Sequence, residues 1–185
     1  ILFALDLCHF FFFFLHEMDG NHYKIALISV LNPEKKYTLN KDLNGGLGTA
    51  DTYGNLSIFS KIISAVKRNG VKIPISSFPF LQSIFTSQGH QADFFESHYP
   101  NVSSHYDFML VYGSIVDFVF ENKIAKDLKD KFPNTKIGFI GPFPSRFPEH
   151  FKNADFVIAG EAEAFFFSEF KSLDQLTGIV QVNAV

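Results

Sequence analysis

Along the chain from Lys24, short and almost wholly apolar runs alternate with segments whose apolar positions recur every three or four residues. The run KIALISVL (24–31), rich in β-branched residues and closed by Asn32-Pro33, predicts a buried strand ending in a turn. Phe59, Ile62, Ile63 and Val66 follow at helical spacing, with Gly70 as the stop, and predict an amphipathic helix. A second helix is predicted over about 79–88, with Ser76 or Ser77 near its cap, Pro79 in its first turn, Leu81, Ile84 and Phe85 on its inner face, and Gly89 as its end. Then QADFFE (91–96) and DFMLVYGS (107–114) read as strands, the latter apolar enough to be covered on both faces. FENKIAKDLKDKF (120–132) reads as a helix, with apolar positions at Phe120, Ile124, Leu128 and Phe132 and Pro133 after it. KIGFIGP (136–142), a short helical piece around 149–153, ADFVIAGE (154–161), a helix through 165–170 and GIVQV (178–182) complete the series.

Strand and helix in alternation point to an α/β fold: an open, doubly wound, mostly parallel sheet of five or six strands with helices on both faces. In such a sheet a ligand lies over the carboxyl ends of the strands, where strand order reverses. The segments to read together are therefore Asn32 onward, Gly113-Ser114, Gly141-Pro142 and Gly160-Glu161.

With 185 residues, 46% of them hydrophobic, the chain has the material for one domain with a substantial core. A formal net charge of −3 gives no long-range attraction to nucleic acid or to anionic lipid, so neither is expected as a partner. The single cysteine, Cys8, leaves no internal disulfide and no multi-cysteine metal site. Residues 1–17, ILFALDLCHFFFFFLHE, have no basic n-region and no small-residue cleavage site, and Asp6 and His9 interrupt a run too short to span a bilayer. Two readings stay open for them: sequence upstream of a true start at Met18, or a greasy helix added to a domain that occupies 18–185.

The stretch NKDLNGGLGTADTYG (40–54) is glycine-rich, but it matches neither G-x-x-x-x-G-K-[ST] nor G-x-G-x-x-G, and GGLG begins about fourteen residues beyond the first strand. That distance excludes a phosphate cradle set directly between strand and helix. A mobile linker and a shaped loop both remain; Asp42, Asn44, Thr49, Asp51 and Tyr53 favour the loop by supplying hydrogen-bonding groups. The seven histidines are scattered singly and no G-x-S-x-G elbow occurs, which disfavours a metal centre and a self-contained hydrolase. Glu161 and Glu163 are spaced for paired carboxylates and equally for the acidic start of a helix.

Read in order, KIALISVLNP, SQGHQADFFE, YDFMLVYGSIVDF and KIGFIGPFPSRFPEHFKNADFVIAGEAEAFF resemble the N-terminal cobalamin-binding domain of cobalamin-dependent radical S-adenosylmethionine enzymes. The resemblance runs from about Lys24 to the C-terminus and is most specific in the GFIGPFPS…ADFVIAGEAEAFF block. It implies a Rossmann-like, flavodoxin-type sheet with cobalamin over the carboxyl edge, in a cytoplasmic protein. Contacts to the corrinoid would come from Asn32 and Pro33, from Gly45, Gly46, Gly48 and Thr49 of the glycine loop, from Gly113 and Ser114, from Gly141, Pro142 and Phe143, and from Gly160 and Glu161. A broad, amide-rich corrin suits several loops offering backbone groups better than it suits one tight anion cradle.

Two departures mark this chain within that pattern. The D-x-H-x-x-G motif, whose His ligates cobalt in methionine-synthase-like domains, has no counterpart after Val30, and Pro142 removes a backbone donor after the fourth strand. The C-x-x-x-C-x-x-C that ligates a [4Fe–4S] cluster is also absent. The resemblance then implies that S-adenosylmethionine and the cluster belong to the parent enzyme's own C-terminal catalytic domain, a methyltransferase-type barrel. The same topology also admits a flavodoxin- or receiver-like module that binds a nucleotide or a partner, although a receiver should show clustered acids after its first strand, where this chain has only Glu34.

Overall fold

The computed structural model describes residues 22–34, 57–70, 75–103 and 105–182. Among these residues six strands form one sheet: β1 (Lys24–Val30), β2 (Gln91–Ser97), β3 (Phe108–Tyr112), β4 (Lys136–Ile140), β5 (Phe156–Ala159) and β6 (Gly178–Gln181). All neighbours are parallel and the order is β2-β1-β3-β4-β5-β6. The expected α/β doubly wound class is the class observed. Helices α1 (Ile58–Gly70) and α2 (Ser77–Ser87) lie between β1 and β2, and α3 (Phe118–Lys131) between β3 and β4. Between β4 and β5 come α4 (Pro142–Arg146) and a 3-10 turn (Pro148–His150); α5 (Ala162–Ala164), continuing into a π-helical turn (Phe165–Glu169), lies between β5 and β6.

β1 and β3 are buried on both faces because alternate side chains feed two separate cores. On the first face Ile25, Leu27, Phe108 and Leu110 meet Leu81 and Phe85 of α2 and the aromatic group Phe165, Phe166 and Phe170. There the Phe108 ring stacks on Phe166 at 5.8 Å, and Phe85 meets Phe166 edge-on at 4.9 Å. On the second face Ala26, Ile28, Met109 and Val111 meet Ile124, Ala125 and Leu128 of α3, along with Phe151. The helix period read over 120–132 thus resolves into one inward stripe, although α3 begins two residues earlier, at Phe118.

The two faces also fix the hand of the connections. β1 to β2 steps one way across the sheet over the first face, and β3 to β4 steps the other way over the second, so the two crossovers share one hand, the right hand that such units take almost without exception. β5 to β6 steps in the same direction as β3 to β4 but passes over the first face, and it is therefore left-handed. The π-helical turn is fastened there by Gln88 Nε2, which donates to the Phe166 carbonyl at 2.9 Å, so α2 anchors the unusual connection. The strand it delivers is short and mostly exposed.

Two local expectations change. The short helical piece expected around 149–153 is a 3-10 turn at Pro148–His150, preceded by α4 from Pro142, because Gly141 at φ +116° turns the chain and Pro142 then occupies the first helical turn, where its missing N–H costs nothing. The helix predicted over 165–170 is a π-helical turn entered from α5. More consequential is α1. Of its residues with described burial only Ser60 is buried, while Ile58, Phe59, Ile62, Ile63 and Val66 face outward.

The amino edge of the sheet is stitched by two aspartates that each immediately precede a strand. Asp107 Oδ2 accepts from Lys24 N at 2.7 Å, and Asp155 Oδ2 accepts from Ile137 N and from Lys129 Nζ, both at 2.8 Å. At the same edge His22 Nδ1 donates to the Gly89 carbonyl, and Tyr23 N donates to His90 Nδ1 at 3.4 Å. Burial, and then the neighbouring His22, hold the His90 pKa below 6.5.

Gly138 gives the sharpest packing test, since a Cβ there would lie 2.2 Å from two ring carbons of Phe156 on the adjoining strand. Gly138→Ala should lower the unfolding free energy by about 1–3 kcal/mol, read as a reduced urea midpoint. For His90 the lowered folded-state pKa means that the unfolded chain takes up the proton first as pH falls. Its effect is therefore absent above 6.5, and stability is lost as pH drops from there through the folded-state value. Urea midpoints measured from about pH 7.5 to about pH 5 should fall less steeply for His90→Phe than for the native chain.

Candidate functional site

Strand order reverses between β1 and β3, and the loops leaving these two strands meet at the carboxyl edge. Asn32 turns back on its own loop, its Oδ1 accepting from Glu34 N at 3.0 Å, and its Nδ2 donates to Asp117 Oδ1 at 3.3 Å. The exit of β1 is thereby tied to the loop after β3. Ser114, buried in that loop, gives both its donors to one carboxylate: its N–H to Glu121 Oε2 and its Oγ–H to Glu121 Oε1, each at 2.8 Å. Glu121 sits in the first turn of α3 and is wholly buried, and Asp117, at the N-cap position but with no side-chain capping bond to the helix, is 2% exposed.

This pair decides the electrostatics of the crevice. A helix amino terminus ordinarily attracts anions through its dipole and its free N–H groups. Here the groups buried at that end are two acids, Asp117 at the N-cap position and Glu121 turned to Ser114, in place of the basic or hydroxyl groups that accompany a phosphate. Neither acid was singled out from the sequence, where Glu121 is one charge among several in FENKIAKDLKDKF. The available signal was Ser114, seven residues before Glu121, in a loop that must satisfy its donors locally.

The glycines of this edge are required by the chain itself. A Cβ on Gly113 would stand 2.3 Å from Pro144 Cγ and 2.9 Å from the Phe151 ring; one on Gly141 would stand 3.0 Å from the Tyr112 ring; and one on Gly160 would stand 2.7 Å from Val182 Cβ. Gly141 and Gly160 also hold φ values of +116° and +134°, open to glycine and strained for other residues. Close packing therefore explains all three: Gly113 against α4 and Phe151, Gly141 against the end of β3, and Gly160 against the chain beyond β6. What they leave for a ligand is backbone at close range.

Of the residues expected at the site, Asn32, Gly113, Ser114 and Gly141 are brought together. Gly113 N donates to Ile140 O at 2.9 Å, and Gly141 lies against the Gly113 carbonyl. Pro33 and Pro142 are exposed beside them. Phe143, half-buried, turns toward α3, where its ring meets Phe118 at 5.4 Å and stacks on His150 at 5.8 Å. Gly160 and Glu161 lie one strand further out, with Glu161 exposed as the cap of α5 and Glu163 in that helix's first turn. That is the helix-start arrangement of the two acids. Gly45, Gly46, Gly48 and Thr49 lie outside the described residues.

Compared with family models, with characterised proteins and with solved structures, the chain matches none. Among the described residues no group of three or more His, Cys, Asp or Glu is placed to hold a metal ion, and no helix is long and apolar enough to cross a membrane.

Glu121 is the residue whose loss should loosen this crevice most. Glu121→Ala leaves both Ser114 donors without their acceptor and should cost about 2–3 kcal/mol in urea unfolding, whereas Glu121→Gln, which keeps one acceptor in place, should cost about half as much.

Proposed function

We propose that this chain is the cobalamin-binding domain of a radical S-adenosylmethionine enzyme, of the type that transfers a methyl group to an unactivated carbon. The observation that carries the reading is the carboxyl edge itself. At the switch between β1 and β3 it offers Asn32 and close backbone at Gly113 and Gly141, while the start of α3 beside it holds the buried acids Asp117 and Glu121. A corrin is broad and ringed with neutral amides, so it calls for scattered donors and acceptors and for no anion cradle.

The residues that would hold it are Asn32 and Pro33 after β1, Gly113 and Ser114 after β3, and Gly141, Pro142 and Phe143 after β4. Gly160 and Glu161 bound the same edge one strand away, and Gly45, Gly46, Gly48 and Thr49 contribute from the glycine loop. Bound methylcobalamin supplies the transferable methyl group. The protein's part is placement: the Asn32–Asp117 bond holds the β1 exit against the β3 loop, and the Ser114–Glu121 pair keeps that loop fixed on α3. S-adenosylmethionine and the [4Fe–4S] cluster belong, on this reading, to a separate catalytic domain of the parent enzyme, and the domain described here contributes no catalytic residue.

A nucleotide-binding or receiver-like module is the rival that the same topology admits. The buried acids at the start of α3 speak against a phosphate in that position, and Glu34 is the one acid in the described segment after β1.

Titration with hydroxocobalamin should perturb the corrin absorbance and carry the corrinoid with the protein through gel filtration, with a Kd of tens of micromolar or tighter, worth about 6 kcal/mol. Flavin mononucleotide should not co-elute. Retention of the flavin without retention of the corrinoid would reverse the assignment.

A further inference from the structure

α1 is turned inside out relative to its own sequence. Its apolar positions, 58, 59, 62, 63 and 66, form a stripe along one side of the helix, the kind of stripe that normally packs on a sheet. Yet Ile58, Phe59, Ile62, Ile63 and Val66 are between 53% and 78% exposed. Ser60, from the other side, is buried, and its hydroxyl has no hydrogen-bond partner among the described residues. Exposing a contiguous apolar strip and burying an unpaired hydroxyl are both unfavourable in water, so this placement requires a cover over the strip.

Charge identifies the cover. Between Ile58 and Gly70 the sequence carries Lys61, Lys67 and Arg68 and no acid, so three basic and no acidic residues make +3 within a chain whose total is −3. Two copies of α1 packed face to face would set like charge against like charge, which disfavours self-association through this surface. An apolar stripe on a short helix whose charged residues are all Lys or Arg matches the boundary between headgroups and acyl chains of an anionic bilayer.

We propose that α1 is an interfacial helix that seats the domain on an anionic lipid surface, lying in the plane of the membrane. The inference is independent of the corrinoid reading, and it departs from the expectation drawn from net charge alone because that sum averages the basic helix into an acidic chain.

The test is sedimentation of the full 185-residue chain with vesicles of phosphatidylcholine alone or with about 30% phosphatidylserine. The native chain should sediment with the anionic vesicles only, and less so as salt is raised. Phe59→Asp combined with Ile62→Asp, at positions exposed in the fold, should reduce partitioning at least about tenfold while leaving the thermal transition unchanged. Lys61→Glu with Lys67→Glu, which spares the stripe, should weaken binding to anionic vesicles as well. Failure to bind either vesicle overturns the proposal, and so does binding that the Phe59/Ile62 variant retains, since it would place the contact in another segment such as the aromatic run 10–14. Dimers in light scattering that this variant dissociates, without any vesicle binding, would identify the face as a contact between copies.

Discussion

Reversal of strand order beside β1 is the constraint from which the rest of the architecture follows. With β2 laid on one side of β1 and β3 to β6 on the other, connections of a single hand must place α2 and α3 on opposite faces. β1 and β3 are then covered twice, which is why both read as continuous apolar runs. It also brings the loops after β1 and β3 together at the carboxyl edge, where Asn32 reaches Asp117. The left-handed return to β6 is tolerated because it crosses a face already lined by Phe85, Phe108 and Tyr23, where Phe165, Phe166 and Phe170 bury against other rings.

The two edges of the sheet are built on different principles. At the amino edge Asp107 and Asp155 each use a backbone carbonyl and a carboxylate to catch neighbouring strands, so that edge is consumed by its own hydrogen bonds. At the carboxyl edge the tight points are glycines whose missing side chains admit Pro144, Phe151 and Tyr112. Packing there brings three chain segments close without spending their side chains, and side-chain chemistry concentrates on Asn32, Ser114, Asp117 and Glu121.

Much of this was legible in the chain. Buried strands announce themselves by composition, and their order in sequence limited the topologies to a few, so the parallel sheet and its switch point could be anticipated from KIALISV, FMLVY and KIGFI. The roles of the glycines could not. Gly113 reads as a loop residue open to a ligand, and the sequence does not show that Pro144 and Phe151, 31 and 38 positions later in the chain, also leave no room for a Cβ there, because their approach depends on tertiary packing. Glu121 was hidden for the converse reason. A carboxylate in a helix of mixed charge reads as solvent-facing, and only the fold puts Ser114 in reach of both its oxygens.

α1 and α2 show why periodicity locates a face without saying where it points. Both carry apolar residues at helical spacing, and in α2 Phe78, Leu81 and Phe85 enter the core while in α1 the equivalent stripe faces solvent. The first face has room for one helix across β1 and β3 beside the aromatic group that follows β5, and α2 occupies it, held by Gln88 to the Phe166 carbonyl and by Gln82 to the Ala92 carbonyl. α1 is left without a sheet to pack on. A sequence that still gives such a helix Ile, Phe and Val on one side and only basic charge among its ionisable residues is consistent with burial elsewhere, because a purely solvated helix gains nothing from that stripe. Lipid satisfies both halves of the composition, whereas a second copy satisfies the apolar half and opposes the charged one.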